Sequence, residues 1–158
     1  MDKNKTNAMR MLDKAGIQYD MRAYDTGDGQ IDGVSVAAKM GIPVEQVYKT
    51  LVTQGHSRNY YVFVIPVAQE LDLKAAARSV GEKSVEMIKV ADINKVTGYI
   101  RGGCSPIGMK KEYVTVLDSS CNALDRIIFS AGKIGHQIEM SPQDLIQMIH
   151  CKVDNITV

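Results

Sequence analysis

The sequence predicts an α+β fold, a single domain built on a largely antiparallel sheet with helices packed against it. Three observations carry that prediction. Two β-prone runs, 47–53 and 60–67, flank the polar turn Gln54-Gly55-His56-Ser57-Arg58-Asn59, which is the pattern of a hairpin. Helical and strand segments otherwise mix irregularly, without the regular alternation of a doubly wound sheet. No repeat, low-complexity tract or linker divides the 158 residues, a length that one hydrophobic core can serve.

Taken in order, the elements have local causes. Thr6 or Asn7 caps a first helix whose apolar side is Met9 and Leu12 with Ala8 and Ala15, and Gly16 stops it. Residues 17–24 read as a strand and Asp25-Thr26-Gly27-Asp28-Gly29 as a loop. Ser35 caps a short helix through Ala37, Ala38 and Met40, ended by Gly41 with Pro43 just beyond. The strand 47–53 carries Lys49 and Thr50. Its return, 60–67, is apolar without alternation and so belongs in the middle of the sheet. Asp72 starts a helix over 73–80 that Gly81 closes, 85–88 is short and β-prone, and Asp92 caps a helical turn before Gly98. Strands follow at 113–117 and 127–129, with a capped turn at Ser119-Ser120 between them. Residues 130–135 read as a small-residue turn into a strand at 136–139. Ser141, Pro142 and Asp144 supply a cap, a proline at the first helical position and an early acid for a helix through Ile149.

Composition excludes several classes. Hydrophobic residues make up 45% and charged residues 23%, ordinary for a soluble globular protein. No run approaches the roughly 20 apolar residues of a membrane span, and Met1-Asp2-Lys3-Asn4-Lys5 has no apolar signal core, so a cytoplasmic protein without membrane contact is expected. Cys104, Cys121 and Cys151 are too few and scattered for a disulfide framework. A net charge of +1 leaves no large basic surface to grip a long nucleic acid unaided. No H-E-x-x-H, phosphate-binding Walker loop, G-x-S-x-G or metal-spaced cluster occurs, so neither a metal nor another cofactor is expected.

The stretch from Thr97 to Gly108, with four glycines and a proline, cannot be an ordinary helix or central strand. It is either a tight connection or a place where the amides of Gly102 and Gly103 are bared to a carbonyl oxygen or a phosphate. Lys49 is either the solvent-facing member of a strand or an ammonium aimed into an anion pocket. Cys104 invites a nucleophile reading, yet no histidine is fixed beside it, and a lone cysteine also serves as a small buried hydrophobe. His136 follows a glycine turn and is a candidate base.

Four motifs occur together and in order. They are Val47-Tyr48-Lys49-Thr50-Leu51-Val52; Val64-Ile65-Pro66-Val67-Ala68 with Leu71-Asp72-Leu73-Lys74; Thr97-Gly98-Tyr99 with Gly102-Gly103, Ser105-Pro106 and Gly108; and Ser130, Gly132-Lys133 and Gly135. As a set they resemble the YbaK (EbsC) family, relatives of the editing domain inserted in bacterial prolyl-tRNA synthetases, over residues 19–149. The resemblance implies a mixed, partly barrel-like sheet flanked by helices. It also implies editing of aminoacyl-tRNA: release of cysteine from Cys-tRNA(Pro), and from Cys-tRNA(Cys), by attack of the substrate's own thiol on its ester. By the same resemblance Lys49 is the residue on which activity depends most and Gly102 matches the first glycine of the G-G pair; the backbone N–H groups of Gly102 and Gly103 are the natural oxyanion donors for such an attack. Tyr24, Thr50 and Ser130 match pocket positions, and Ile31 is nearest to an aromatic usual in the loop after Tyr24. Gln137 stands where aspartate is usual, and the Cys104 position is not reserved for cysteine. The implied partners are the CCA end of a tRNA and prolyl-tRNA synthetase, from which tRNA affinity is borrowed. Two alternatives stand beside this reading: a deacylase for another small residue, such as Ala-tRNA(Pro), that uses water, and a non-catalytic binder of nucleotides or aminoacyl-adenosine acting as a regulator.

Overall fold

The computed structural model describes residues 5–158; the first four residues of the stretch examined above for a signal core lie outside them. In chain order the elements are α1 (Asn7–Ala15), β1 (Asp20–Ala23), α2 (Gly33–Met40), β2 (Tyr48–Gly55), β3 (Tyr60–Pro66), α3 (Leu73–Ser79), β4 (Val85–Met87), α4 (Ile93–Thr97), β5 (Val114–Asp118), β6 (Ile127–Lys133), β7 (His136–Met140), α5 (Pro142–Ile149) and β8 (Lys152–Asp154). They make an α+β fold with two sheets, ordered β4-β2-β3-β5-β8 and β1-β7-β6.

The non-alternating run expected at the centre of a sheet is β3, the middle strand of five. Its side chains divide by period two between two cores. Val62 and Val64 face a larger core with Met9 and Leu12 of α1, Phe129, Ile138 and Leu145. Tyr61, Phe63 and Ile65 face a smaller one with Ala76 and Ala77 of α3. Both faces are covered, so a polar alternation has no place there. The β2–β3 pair is the expected antiparallel hairpin, in register from Tyr48 opposite Pro66 to Gln54 opposite Tyr60. β5 and β8, however, join the sheet in parallel, which makes it mixed. β8 was not foreseen: three exposed residues carry no apolar pattern. Beyond it, Ile156 is fully buried and its N–H donates to Oδ1 of buried Asp118 at 3.1 Å.

The expected barrel character does not extend to closure. Among the described residues the one backbone bridge between the sheets is Val47 to Ile128, while β1, β4 and β8 remain edges, so no closed barrel forms. Other corrections are local. The cap of α2 is Asp32, not Ser35: its carboxylate accepts from the Ser35 N–H at 3.1 Å and the Ser35 hydroxyl at 2.7 Å. The helix thus starts at Gly33, where a Cβ would lie 2.2 Å from Val67 Cγ1. Ala15, assigned to the apolar side of α1, is exposed. Residues 130–133 are not a turn but the end of β6, carried past Gln137 by a register shift between Ser130 and Lys133, so the true turn is Ile134-Gly135.

Tyr99 secures the long connection between α4 and β5. Its hydroxyl donates to the Ile107 carbonyl at 2.5 Å. Its ring lies so close to the β6 bulge that a Cβ on Gly132 would be 2.7 Å from Tyr99 Cε1. Among the described residues no helix is long and apolar enough to cross a membrane.

Gly132 has φ +98° besides that contact, whereas Gly41 has φ +66° with nothing within 4 Å of its virtual Cβ. Gly132→Ala is therefore expected to lower stability by about 2–4 kcal/mol and Gly41→Ala by about 1–2 kcal/mol in urea titrations. Equal losses would contradict the Tyr99 packing argument.

Candidate functional site

A cleft of about 120 Å³ opens where the first residues of β2, the loop before α2, the glycine-rich connection and the β6–β7 hairpin meet. Of the eight residues assigned to a site from the sequence, seven line it: Tyr24, Ile31, Lys49, Thr50, Gly102, Ser130 and Gln137. Lys49 and Thr50 stand near the start of β2, opposite Ile65 and Val64. Ser130 and Gln137 face each other across β6 and β7.

The eighth, Gly103, does not line the cleft. It is buried, and its N–H donates to the Ile100 carbonyl at 3.0 Å, closing the turn Ile100–Gly103. The expected pair of bare amides thus reduces to the exposed Gly102. Gly102 has φ +85°, and a Cβ there would lie 3.0 Å from Ile31 Cδ1, so glycine both makes the turn and leaves room for Ile31 at the rim.

Tyr24 and Ile31 owe their positions to Lys39, a residue the sequence did not single out. Its ammonium donates to the Asp25 carbonyl at 2.7 Å, Asp28 Oδ1 at 2.6 Å and the Gln30 carbonyl at 2.7 Å, and it lies 5.9 Å from the Tyr24 ring centroid. The Lys39 ammonium holds the Asp28 carboxyl below its ordinary range. One side chain of α2 therefore folds the preceding loop against the helix. Nothing in the sequence marks a lysine in a last helical turn for that task. Gly33, Val36, Val47, Tyr48, Val67 and Cys104 complete the lining and were likewise unassigned.

Lys49 is the sole formally charged side chain in the lining, and among the described residues no carboxylate is within ion-pair distance of it. Two lining atoms are closed off from solvent with no hydrogen-bond partner, Thr50 Oγ1 and Gln137 Oε1. An orphaned buried polar group costs about 1–3 kcal/mol, and few are tolerated. Ser130, by contrast, is engaged: its Oγ accepts from the Gly132 N–H at 3.2 Å. Burial pushes the Cys104 thiol up to about 11, so it is protonated at neutral pH and is a poor nucleophile. His136 does not line the cleft. Among the described residues no group of three or more His, Cys, Asp or Glu side chains could hold a metal ion. The site thus offers one cation, one exposed glycine backbone and two unsatisfied oxygens.

A family model described as the aminoacyl-tRNA editing domain matches residues 32–148. A protein of Enterococcus faecalis named EbsC, for a proposed Cys-tRNA(Pro)/Cys-tRNA(Cys) deacylase activity, is 43% identical over 153 residues, covering 97% of this chain and 93% of that one. Among solved structures, one described as a candidate trans-editing enzyme for prolyl-tRNA synthetase superimposes with a TM-score of 0.81 at 20% identity, over 97% of this chain and 98% of that one. A hypothetical protein gives 0.86 at 19% identity, over 94% and 97%. At those identities the likeness speaks to the fold.

Two outcomes test the geometry. Lys39→Met should open the 25–31 loop to limited proteolysis while shifting the melting temperature only slightly, since the ammonium's contacts are to that loop; unchanged cleavage would refute the pinning role. The Cys104 thiol is raised from its ordinary 9.0 to about 11. Its contribution is therefore complete below pH 9 and lost as pH rises towards 11. Cys104→Ala should flatten part of the stability decline in that window, measured by urea titration at stepped pH.

Proposed function

The chain belongs to the aminoacyl-tRNA editing family, and from that premise we propose that it is a free-standing deacylase releasing cysteine from Cys-tRNA(Pro), with Cys-tRNA(Cys) as a second substrate. The observation that carries the reading is the small cleft that holds Lys49 and Gly102 together with, among the described residues, no histidine or carboxylate in its lining and no thiol ionised near neutral pH. Such a site suits a substrate that brings its own nucleophile. The cysteinyl sulfur attacks the ester carbonyl carbon, an S–C bond forms and the C–O bond to the ribose 3′ oxygen breaks. The thiol proton ends on that oxygen, and the products are a thiolactone and tRNA with a free 3′ hydroxyl.

Counting S, Cβ, Cα and the carbonyl carbon gives a strained four-membered ring. Proximity alone is a weak aid to such a closure, so stabilisation of the tetrahedral oxyanion carries more of the catalysis. We assign Gly102 N–H as the backbone donor and Lys49 as the cation that neutralises developing charge or the terminal phosphate. A cytoplasmic protein that takes its tRNA affinity from prolyl-tRNA synthetase fits a chain of net charge +1. A second reading, hydrolysis of Ala-tRNA(Pro), is favoured by one observation: Gln137 Oε1 is unpartnered and can hold a water.

Deacylation of Cys-, Ser- and Ala-tRNA side by side, with products identified by mass, separates these readings. Cysteine should be released fastest, serine far more slowly and alanine slowest, because a thiol is a few per cent thiolate at neutral pH and a hydroxyl is not. Equal rates for alanine and cysteine would install water as the nucleophile, and no release of any would leave a non-catalytic binder. Lys49→Ala should lower turnover about 10²–10³-fold with an unchanged melting temperature, whereas Cys104→Ser should retain turnover.

A further inference from the structure

Two oxygens in the cleft accept nothing from the protein. Gln137 lies on β7, the middle strand of the smaller sheet, and is 6% exposed, with Oε1 unpartnered. Thr50 Oγ1, on β2 of the larger sheet, is closed off in the same way. Both side chains line one cleft. Each orphan is destabilising on its own. That both line one cleft from strands of two different sheets marks a place suited to a group that donates hydrogen bonds.

We propose that Gln137 Oε1 and Thr50 Oγ1 together recognise the α-amino group of the aminoacyl ester, so that this neutral pair distinguishes an aminoacyl from a plain acyl group. The inference rests on the deacylase reading and deepens it. The carbonyl, ester and phosphate oxygens of the substrate only accept, and the thiol is a weak donor. The α-amino group is the strong donor of the aminoacyl moiety, with two N–H bonds as an amine and three as an ammonium, whereas the ribose 2′ hydroxyl donor is common to aminoacyl and plain acyl esters. The cleft divides accordingly. Lys49 and the Gly102 backbone present donors to the substrate's oxygens, and Gln137 and Thr50 present acceptors to its nitrogen.

The amide at position 137 has an electrostatic consequence as well. An acid sharing this small cleft with Lys49 would be drawn into an ion pair with it. An amide accepts a hydrogen bond without competing for that cation, and Lys49 has no carboxylate partner among the described residues. Selection then works through the number and direction of hydrogen bonds, not through charge.

Two adenosine analogues test this, each with a 3′ amide in place of the ester so that neither turns over: one carries a cysteinyl group, the other 3-mercaptopropionyl, which differs only in lacking the amine. Dissociation constants are measured by calorimetry on the full chain. The wild type should prefer the amine-bearing analogue by about tenfold or more. Gln137→Met, which keeps the volume, and Thr50→Val should each lose most of that preference while changing affinity for the amine-free analogue by less than about threefold. Thr50→Ser, which keeps the hydroxyl, should retain it. Melting temperatures identify any variant that fails to fold, and Thr50→Ser against Thr50→Val then decides alone. Equal wild-type binding of both analogues would overturn the proposal and leave the deacylase reading standing. So would a Gln137→Met or Thr50→Val protein that keeps the preference. A wild type that binds neither analogue would remove both readings.

Discussion

One backbone bridge organises the half of this molecule that holds the cleft. Among the described residues Val47 and Ile128 form the sole backbone bridge between the two sheets, and they pair in parallel. The chain therefore leaves the bridge in the same direction on both strands, carrying Lys49 and Thr50 on one side and Ser130 on the other into the same cleft. A closed barrel would have continued the pairing and filled that space with ladder hydrogen bonds and side chains. Pairing stops after one bridge, and a small cleft of mixed polar and apolar lining lies beside it. Val47 and Ile128 are themselves about 1% exposed, so the junction is rigid even though it is brief.

Around that junction the structure accepts several local costs. Thr50 Oγ1 and Gln137 Oε1 are buried without partners, the Cys104 thiol is desolvated, and Gly102 holds a backbone conformation that other residues resist. Among the described residues the two unpartnered oxygens have no counterpart in the larger core, where Met9, Leu12, Phe129 and Ile138 pack with no exposed surface and the desolvated thiols of Cys121 and Cys151 sit among apolar neighbours. Orphaned polar atoms gathered in one cleft of a well-packed fold are groups that a bound molecule can satisfy.

How much of this was legible in the sequence differs from residue to residue. β3 was readable because seven successive residues are apolar or aromatic and end in proline, and α5 because Ser141, Pro142 and Asp144 are each local signals. β8 was not, since its three exposed residues are held by pairing with β5, a partner more than thirty positions away. The S-x-G-K segment read as a turn because glycine and serine are turn formers, yet there the glycine admits the ring of Tyr99 into a strand bulge, a contact that no local pattern encodes. Motif order and the resemblance built on it picked out seven residues that line the cleft, while the Gly103 amide is spent on Ile100. Lys39 escaped notice because its role is to hold carbonyl oxygens and one carboxylate of a loop whose shape the sequence does not reveal.

The placement of β8 also bears on how the protein is made. Residues 152–154 pair with β5, the Ile156 N–H meets buried Asp118, and Thr157 bridges back to Leu71. A ribosome releases these residues after every other strand has emerged. Until then the parallel edge of β5 stays open and Asp118 lacks its acceptor role toward Ile156. Completion of the larger sheet thus waits for residues 152–157 to emerge, and until they do the nascent chain carries an unpaired strand edge that chaperones can recognise.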